Sequence, residues 1–258
     1  MRMRTIAYNV YSFRGWPKEA GITPEEMIQS FVKAMKKYRS DIITLSEAQP
    51  EFIVQNIARE LGMQALRFPS IPEEENCPGT LLTHLEILES ANCPLISKNE
   101  SKGLFTRHWG RALLRTDRGE VAIHSAHLYP GEEEIRQREI REIIKVIEED
   151  KKLGRSILLQ GDLNHLPGTI EYNLWIKAGL IDTFQLAGTG SAETCRPSDS
   201  SPKEDQPNQR IDYIFAYGPI VEHLSKCQVL SEPPFRVNPH AERLWSLSDH
   251  LPVMATFE

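Results

Sequence analysis

The chain has no cysteine pattern that would cross-link it or chelate a metal. Its four cysteines, Cys77, Cys93, Cys195 and Cys227, are scattered and form no C-x-x-C pair. A structural zinc site needs ligands at turn-sized spacing, so these read as free thiols, and the expected compartment is reducing and cytoplasmic. A long apolar run is missing too. No stretch approaches the ~20 residues of a membrane helix, and Met1-Arg2-Met3-Arg4 has no apolar segment behind it, unlike a secretory signal. Asn99-Glu100-Ser101 therefore reads as a chance glycosylation triplet. Positive charge is in deficit: 30 Lys and Arg against 36 Asp and Glu leave a net charge of −6. Binding a polyanion by counterion release needs Lys and Arg at the contact surface. No basic run interleaved with aromatics is present, which disfavours nucleic acid as a substrate without excluding it. The G-x-x-x-x-G-K-[ST] phosphate loop, the G-x-S-x-G elbow and the G-x-G-x-x-G fingerprint are all absent. Asp162-x-Asn164 is not a calcium loop, because Pro167 and Asn173 stand where that loop needs Gly and Glu.

What is present is the composition of an ordinary globular protein, 258 residues with 40% apolar and 26% charged. That length can bury a sizeable core. No linker or repeat divides it, so residues 1–258 are expected to form one catalytic domain. Thr5–Val10, Asp41–Glu47, Gly79–Thr83, Arg111–Thr116, Glu120–Leu128, Ser156–Gln160, Arg210–Ala216, Lys226–Ser231 and Leu251–Phe257 read as strands, with Asp117-Arg118-Gly119 as a hairpin turn. A helix opens at Thr23-Pro24-Glu25-Glu26 with a capping box, and a second runs from Pro50 to Leu61 and stops at Gly62. Further helices are expected over Glu132–Leu153 and Thr169–Ala178, and a loop-rich stretch from Gly188 to Gln209. Interspersed strands and helices with hairpin-like pairs favour a mixed-sheet α/β fold over a doubly wound parallel sheet.

Polar residues recur at the ends of these apolar strands. Asn9, Glu47, His127, Asp162 with Asn164, and Asp249-His250 all sit at such positions. Taken singly, each is an ordinary turn, cap or structural residue. Asp212 is different, because it lies inside the apolar strand Arg210–Ala216. A buried carboxylate costs several kcal/mol unless it is paired, and a protonatable histidine is its natural partner.

Asn9, Leu45-Ser46-Glu47, His127-Leu128, Gly161-Asp162-Leu163-Asn164, Arg210-Ile211-Asp212-Tyr213 and Ser248-Asp249-His250-Leu251-Pro252-Val253 occur in this order. The set resembles the endonuclease/exonuclease/phosphatase superfamily of the DNase I-like fold, and Gly110–Arg115 also looks like its pattern. One departure is His84 and Glu86, which stand where many members carry Arg and Pro. The resemblance implies a four-layer α/β/β/α sandwich of two packed mixed β-sheets. It also implies metal-dependent hydrolysis of phosphate esters, usually with Mg²⁺, with Mn²⁺ or another divalent cation as a substitute. A hard cation takes carboxylate and water oxygens and offsets charge on the phosphoryl group.

By resemblance, Glu47, Asn9 and Asp249 are the metal-side residues, directly or through water. His250 is a general base or holds a phosphoryl oxygen, with Asp212 fixing its tautomer. Asp162 orients or deprotonates water or protonates the leaving oxygen, Asn164 donates to phosphoryl oxygens, and His127 contacts phosphate or assists the leaving group. His165 is more simply a supporting or surface group. Trp16, Arg14 and Tyr11 after Asn9, and Arg236, Arg243 and Trp245 before Ser248, are candidates for substrate-facing loops. The acidic balance favours a small phosphodiester or phosphomonoester, such as a lipid headgroup or sugar phosphate, on a monomeric enzyme. A DNA or RNA nuclease of the same superfamily is the alternative, and an inactive binding module is a lesser one.

Overall fold

The computed structural model describes residues 2–14, 23–69, 77–93, 105, 107–195, 208–233, 235–240 and 243–258, with Pro24, 236–240 and 243–246 described as backbone only. In chain order the elements are β1 (Met3–Asn9), α1 (Pro24–Tyr38), β2 (Ile42–Ser46), α2 (Glu51–Leu61), β3 (Gln64–Phe68), β4 (Gly79–Thr83) and β5 (Glu86–Asn92). They continue with β6 (Trp109–Thr116), β7 (Gly119–His127), α3 (Glu133–Lys152), β8 (Ser156–Asp162), α4 (Ile170–Lys177), β9 (Ile181–Asp182), α5 (Thr183–Ala187) and β10 (Gly188–Thr189). The last are β11 (Asp212–Tyr217), β12 (Leu224–Val229), β13 (Arg236–His240), β14 (Arg243–Ser246) and β15 (Val253–Phe257).

The strands form two mixed sheets, ordered β10-β12-β15-β1-β2-β4-β3 and β5-β6-β7-β8-β11-β9, with β13 and β14 as a separate antiparallel pair. Alternation along the strands sets up the layers. On β1, Ile6 and Tyr8 face α1 and α2 with Phe31, Met35 and Ile57, while Ala7 faces the second sheet with Leu114, Ile123 and Leu158. Leu159 and Phe215 of the second sheet pack outward on Ile140, Ile143 and Ile147 of α3 and Trp175 of α4. The result is helices, sheet, sheet, helices: the four-layer α/β/β/α sandwich that the family resemblance implies.

The helix starts follow sequence chemistry. Thr23 accepts from the Glu26 backbone N–H at 3.2 Å, while Glu26 accepts from the Thr23 N–H at 2.8 Å, completing the capping box. Gly62, left-handed at φ 67°, closes α2. Between the sheets, Gln160 ties the layers together: its amide nitrogen donates to Thr44 Oγ1 at 2.9 Å and its oxygen accepts from Thr5 Oγ1 at 2.7 Å.

Gly161 sits at φ 142°, and a Cβ there would lie 2.0 Å from the Ala126 carbonyl oxygen of the paired strand. Backbone on both sides leaves nothing to yield. Gly161→Ala is expected to destabilise the fold by roughly 3 kcal/mol or more, measured as a lower urea midpoint.

Candidate active site

Strand direction gathers the expected residues at one end of the sandwich. β1 and β2 are parallel, so Asn9, level with Ser46, stands beside Glu47. β7 and β8 are parallel with His127 opposite Asp162, and antiparallel β11 begins with Asp212 opposite the same Asp162. β15 runs antiparallel to β1, Val253 opposite Ala7, so the Ser248–His250 approach lies beside the end of β1. Ser248 Oγ fastens this corner, donating to the Asn9 carbonyl at 2.7 Å and accepting from the His250 backbone N–H at 3.1 Å.

The side chains then connect. Asn9 Nδ2 donates to Asp162 Oδ2 at 2.9 Å and to Glu47 Oε1 at 3.3 Å, while Asn9 Oδ1 accepts the Tyr11 backbone N–H at 3.0 Å. His250 Nδ1 lies 2.8 Å from Asp212 Oδ2, the pairing expected of a carboxylate inside an apolar strand. His250 Nε2 faces Asp162 Oδ2 at 3.7 Å, Asp249 Oδ1 at 4.0 Å and Cys195 Sγ at 3.4 Å. His127 Nε2 reaches Asp162 Oδ2 at 3.3 Å. Asn164, left-handed at φ 51°, turns its backbone N–H to Asp162 Oδ1 at 3.2 Å and its amide to the Leu128 carbonyl at 2.8 Å. Glu47 is held at φ 54°, a conformation that costs roughly 1–2 kcal/mol in a residue with a Cβ, at the place where the sequence assigns it chemistry.

Burial and charge set the protonation states. Burial pushes the Asp162 carboxyl up to about 7, against the pull of His250 and with the push of Asp212 and Glu47. Burial opposes charge on His250 as well, but Asp212 and Asp162 outweigh it and hold the imidazolium well above its usual range. Burial lowers His127 well below the ordinary histidine value, and the Arg107 charge adds to this.

Buried neutral histidines make the fold acid-sensitive. Desolvation pushes His108 and His165 down to about 3 from 6.5, and His124 and His127 shift the same way. The unfolded chain takes up these protons below about pH 6.5 and the fold refuses them, so stability drops as pH falls from there toward about 3. His250, raised, works oppositely, its contribution fading as pH rises through its folded value. Asp162, raised to about 7, also takes up its proton in the fold before the unfolded chain does, so four groups against two predict a lower urea midpoint at about pH 5 than at about pH 7.5.

The acidic groups fit a hard divalent cation. Carboxylates of Asp162, Asp212 and Asp249 surround one imidazole, Glu47 joins them through Asn9, and Asp212 Oδ1 is buried without a hydrogen-bond partner. Asp162, Asp212 and His250 lie close enough to share one ion. The 2.8 Å bond occupies His250 Nδ1 and Asp212 Oδ2, and Asp162 and Asp212 are buried, which leaves Glu47 and Asp249, with 17% and 33% of their side chains exposed, as the accessible oxygen donors. Asn9 offers its nitrogen to the carboxylates and spends its oxygen locally on Tyr11, the geometry of a brace between Glu47 and Asp162.

A family model for the endonuclease/exonuclease/phosphatase family matches residues 6–250. The chain belongs to that family. Membership places it among phosphoesterases. No curated protein matches the sequence. Among solved structures, an endonuclease/exonuclease/phosphatase family protein from Bacteroides thetaiotaomicron superposes with a TM-score of 0.78 at 16% identity, over 100% of this chain and 96% of its own. A mannosyl-6-phosphatase from the same organism gives 0.73 at 18% identity over 98% of both chains. D. rerio TDP2, complexed with a single-strand DNA product, gives 0.69 at 15% identity over 100% and 99%. These likenesses establish the DNase I-like fold.

Further residues of this family member shape the site. Thr194 Oγ1 accepts the backbone N–H groups of Ile211 and Asp212 at 3.2 and 3.1 Å, and its carbonyl accepts from Leu251 at 2.7 Å, so it sets the base of the Asp212–His250 pair. Cys195 and Arg107 also reach the site, and nothing in their local sequence announces it. His165 is a buried support that accepts from Trp175 Nε1 at 3.0 Å. His84 and Glu86 flank the turn after β4, at the opposite end from Glu47, because Thr83 pairs with Ile42 and Thr80 with Leu45. Tyr11 and Arg14 are exposed beside Asn9; Trp16 lies outside the described residues, and Arg236, Arg243 and Trp245 are described only as backbone of β13 and β14.

Proposed function

We propose that the chain is a divalent-cation-dependent phosphoesterase that hydrolyses a small phosphate ester by in-line attack of water, with Mg²⁺ as the ion. The observation that carries this reading is the His250–Asp212 pair, 2.8 Å apart, facing buried Asp162 and half-buried Asp249 in one acidic cluster. Glu47 and Asp249 hold the ion, directly or through water, and Asn9 braces Glu47 against Asp162. When bound, the ion offsets the charge that grows on the phosphoryl oxygens.

The chain's own groups do the rest. Asp162, its carboxyl raised to about 7, is suited to exchange a proton with water at neutral pH, and its contacts with Asn9 and His127 fix its direction. His250 rests as an imidazolium and presents its Nε2 proton to a phosphoryl oxygen, with Asp212 holding the other ring nitrogen. This division makes Asp162 the base and His250 the charge stabiliser. Asn164, whose amide already donates one hydrogen to the Leu128 carbonyl, keeps its second amide hydrogen as a further donor. His127, kept neutral by burial, holds Asp162 and faces the leaving-group side.

The substrate is a small ester, because the charge balance of −6 disfavours a long polyanion. Residues 1–258 act as one catalytic unit and as a monomer, and the free thiols suit a reducing compartment such as the cytoplasm. No described helix is long and apolar enough to cross a membrane. The test is an assay of the EDTA-stripped chain with and without Mg²⁺ on a panel of sugar phosphates, lipid headgroup esters, single-stranded oligonucleotides and supercoiled plasmid. Mg²⁺-dependent release of phosphate or alcohol from small esters supports the reading. Efficient nicking or trimming of nucleic acid with inert small esters replaces it with the nuclease alternative.

A further inference from the structure

Arg107 stands where β6 is about to start, and the next residue, His108, accepts the His127 backbone N–H at 2.9 Å through its carbonyl. That carries Arg107 to the lip of the site. Its Nη1 donates to Cys77 Sγ at 2.7 Å and lies 3.8 Å from Glu47 Oε1, the same oxygen that accepts Asn9 Nδ2. Its charge is felt by His127 and His108, which it helps to keep neutral.

Three other buried or partly buried arginines are locked to carboxylates. Arg111 bonds Asp150 at 2.5 and 2.9 Å, Arg136 bonds Glu171 at 3.1 Å, and Arg210 bonds Asp182 at 2.5 Å. Those are structural pairs. Arg107 differs: its hydrogen bond goes to sulfur, a weak acceptor, and its carboxylate neighbour is beyond hydrogen-bond distance. Its side chain is 23% exposed. Among the described residues, this is a fixed cation at the edge of an acidic cluster with most of its donors uncommitted to strong acceptors. Once Glu47 is engaged by a divalent ion, the remaining attraction for the guanidinium is an incoming anion.

We propose that Arg107 is a phosphate-binding residue that gives the site its preference for a phosphomonoester over a phosphodiester. The inference rests on the phosphoesterase reading and narrows it. A monoester dianion presents three terminal oxygens and a diester only two that are non-bridging and singly charged. The ion and His250 can satisfy two oxygens. A third, with the second negative charge, calls for another cationic donor, and the planar guanidinium fork suits it. Cys77 serves as the weak holder that keeps the fork at the lip and releases it cheaply.

The experiment uses the full chain and the variants Arg107→Ala and Arg107→Lys, with circular dichroism spectra matched to the parent. Hydrolysis of p-nitrophenyl phosphate and bis(p-nitrophenyl) phosphate is measured with Mg²⁺, and inorganic phosphate binding by calorimetry. Arg107→Ala should weaken phosphate binding by about 10–100-fold and lower the monoester-to-diester ratio of kcat/KM by about tenfold or more. Arg107→Lys should restore part of the phosphate affinity and little of the selectivity. Equal losses on both esters, or phosphate affinity unchanged in Arg107→Ala, overturn the assignment. A parent chain that cleaves neither ester counts against the phosphoesterase reading alone, because the phosphate titration still decides for or against Arg107.

Discussion

His250→Gln is expected to leave a folded protein whose kcat on its phosphate ester falls by about a thousandfold, within the range of about 10²–10⁴ associated with a positioned acid–base group. Glutamine keeps one hydrogen bond toward Asp212 and loses the positive charge. In the parent that charge is maintained against burial by Asp212 and Asp162, and Nε2 is the ring atom turned toward the acidic cluster. Asp212→Asn should have a smaller effect on kcat, about 10–100-fold, because it disturbs His250 only through the ring nitrogen it holds. A stopped assay at saturating substrate separates the two. If His250→Gln keeps more than a tenth of the parent kcat, the role given to the imidazolium is wrong.

Glu47→Gln is the second large effect. The accessible carboxylates are few, so removing one charge should weaken Mg²⁺ binding by at least about tenfold and lower activity at limiting Mg²⁺ by about 10²-fold or more. Extra Mg²⁺ should restore part of the activity, whereas it should restore none in His250→Gln. The Asn9 brace, which spans Glu47 and Asp162, keeps an acceptor in glutamine's side-chain oxygen, so the fold should tolerate the change. An activity that is insensitive to this substitution, and to chelation, would remove Glu47 from the metal side.

The positions that meet at the site were visible as polar strand ends, and the family resemblance singled them out as a set. Asn9, Glu47, His127, Asp162 and Asp212 each interrupt an apolar run, and parallel or antiparallel pairing turns those interruptions into neighbours. Asp212 was the most informative single residue: a carboxylate in a buried strand demanded a partner, and His250 is that partner. The long central strands and amphipathic helices were equally readable, since β1, β2, β8 and α3 carry strong apolar patterns.

What sequence missed has a common physical origin. β3 and β5 are edge strands whose exposed faces carry Gln64, Arg67, Glu86, Glu89 and Ser90, so their patterns are weakly apolar. β9 and β10 are two residues long and exist only through pairing with β11 and β12. β13 and β14 pair with each other, away from the two main sheets. Arg107 and Cys195 act through tertiary position: a lone arginine before a strand, or a cysteine in a loop-rich stretch, looks the same in sequence whether it faces solvent or the site. The role of Asn9 also sharpens with geometry, because its oxygen is committed to Tyr11 and only its nitrogen faces the acids.

The most direct check is a Mg²⁺ titration of the chelator-stripped chain, followed simultaneously by calorimetry and by hydrolysis of a small phosphate ester, with Glu47→Gln alongside. Ion binding and turnover should rise together in the parent, and both should shift to higher Mg²⁺ in the variant. Turnover that persists in chelator, or ion binding that proceeds unchanged without Glu47, would contradict the proposed centre.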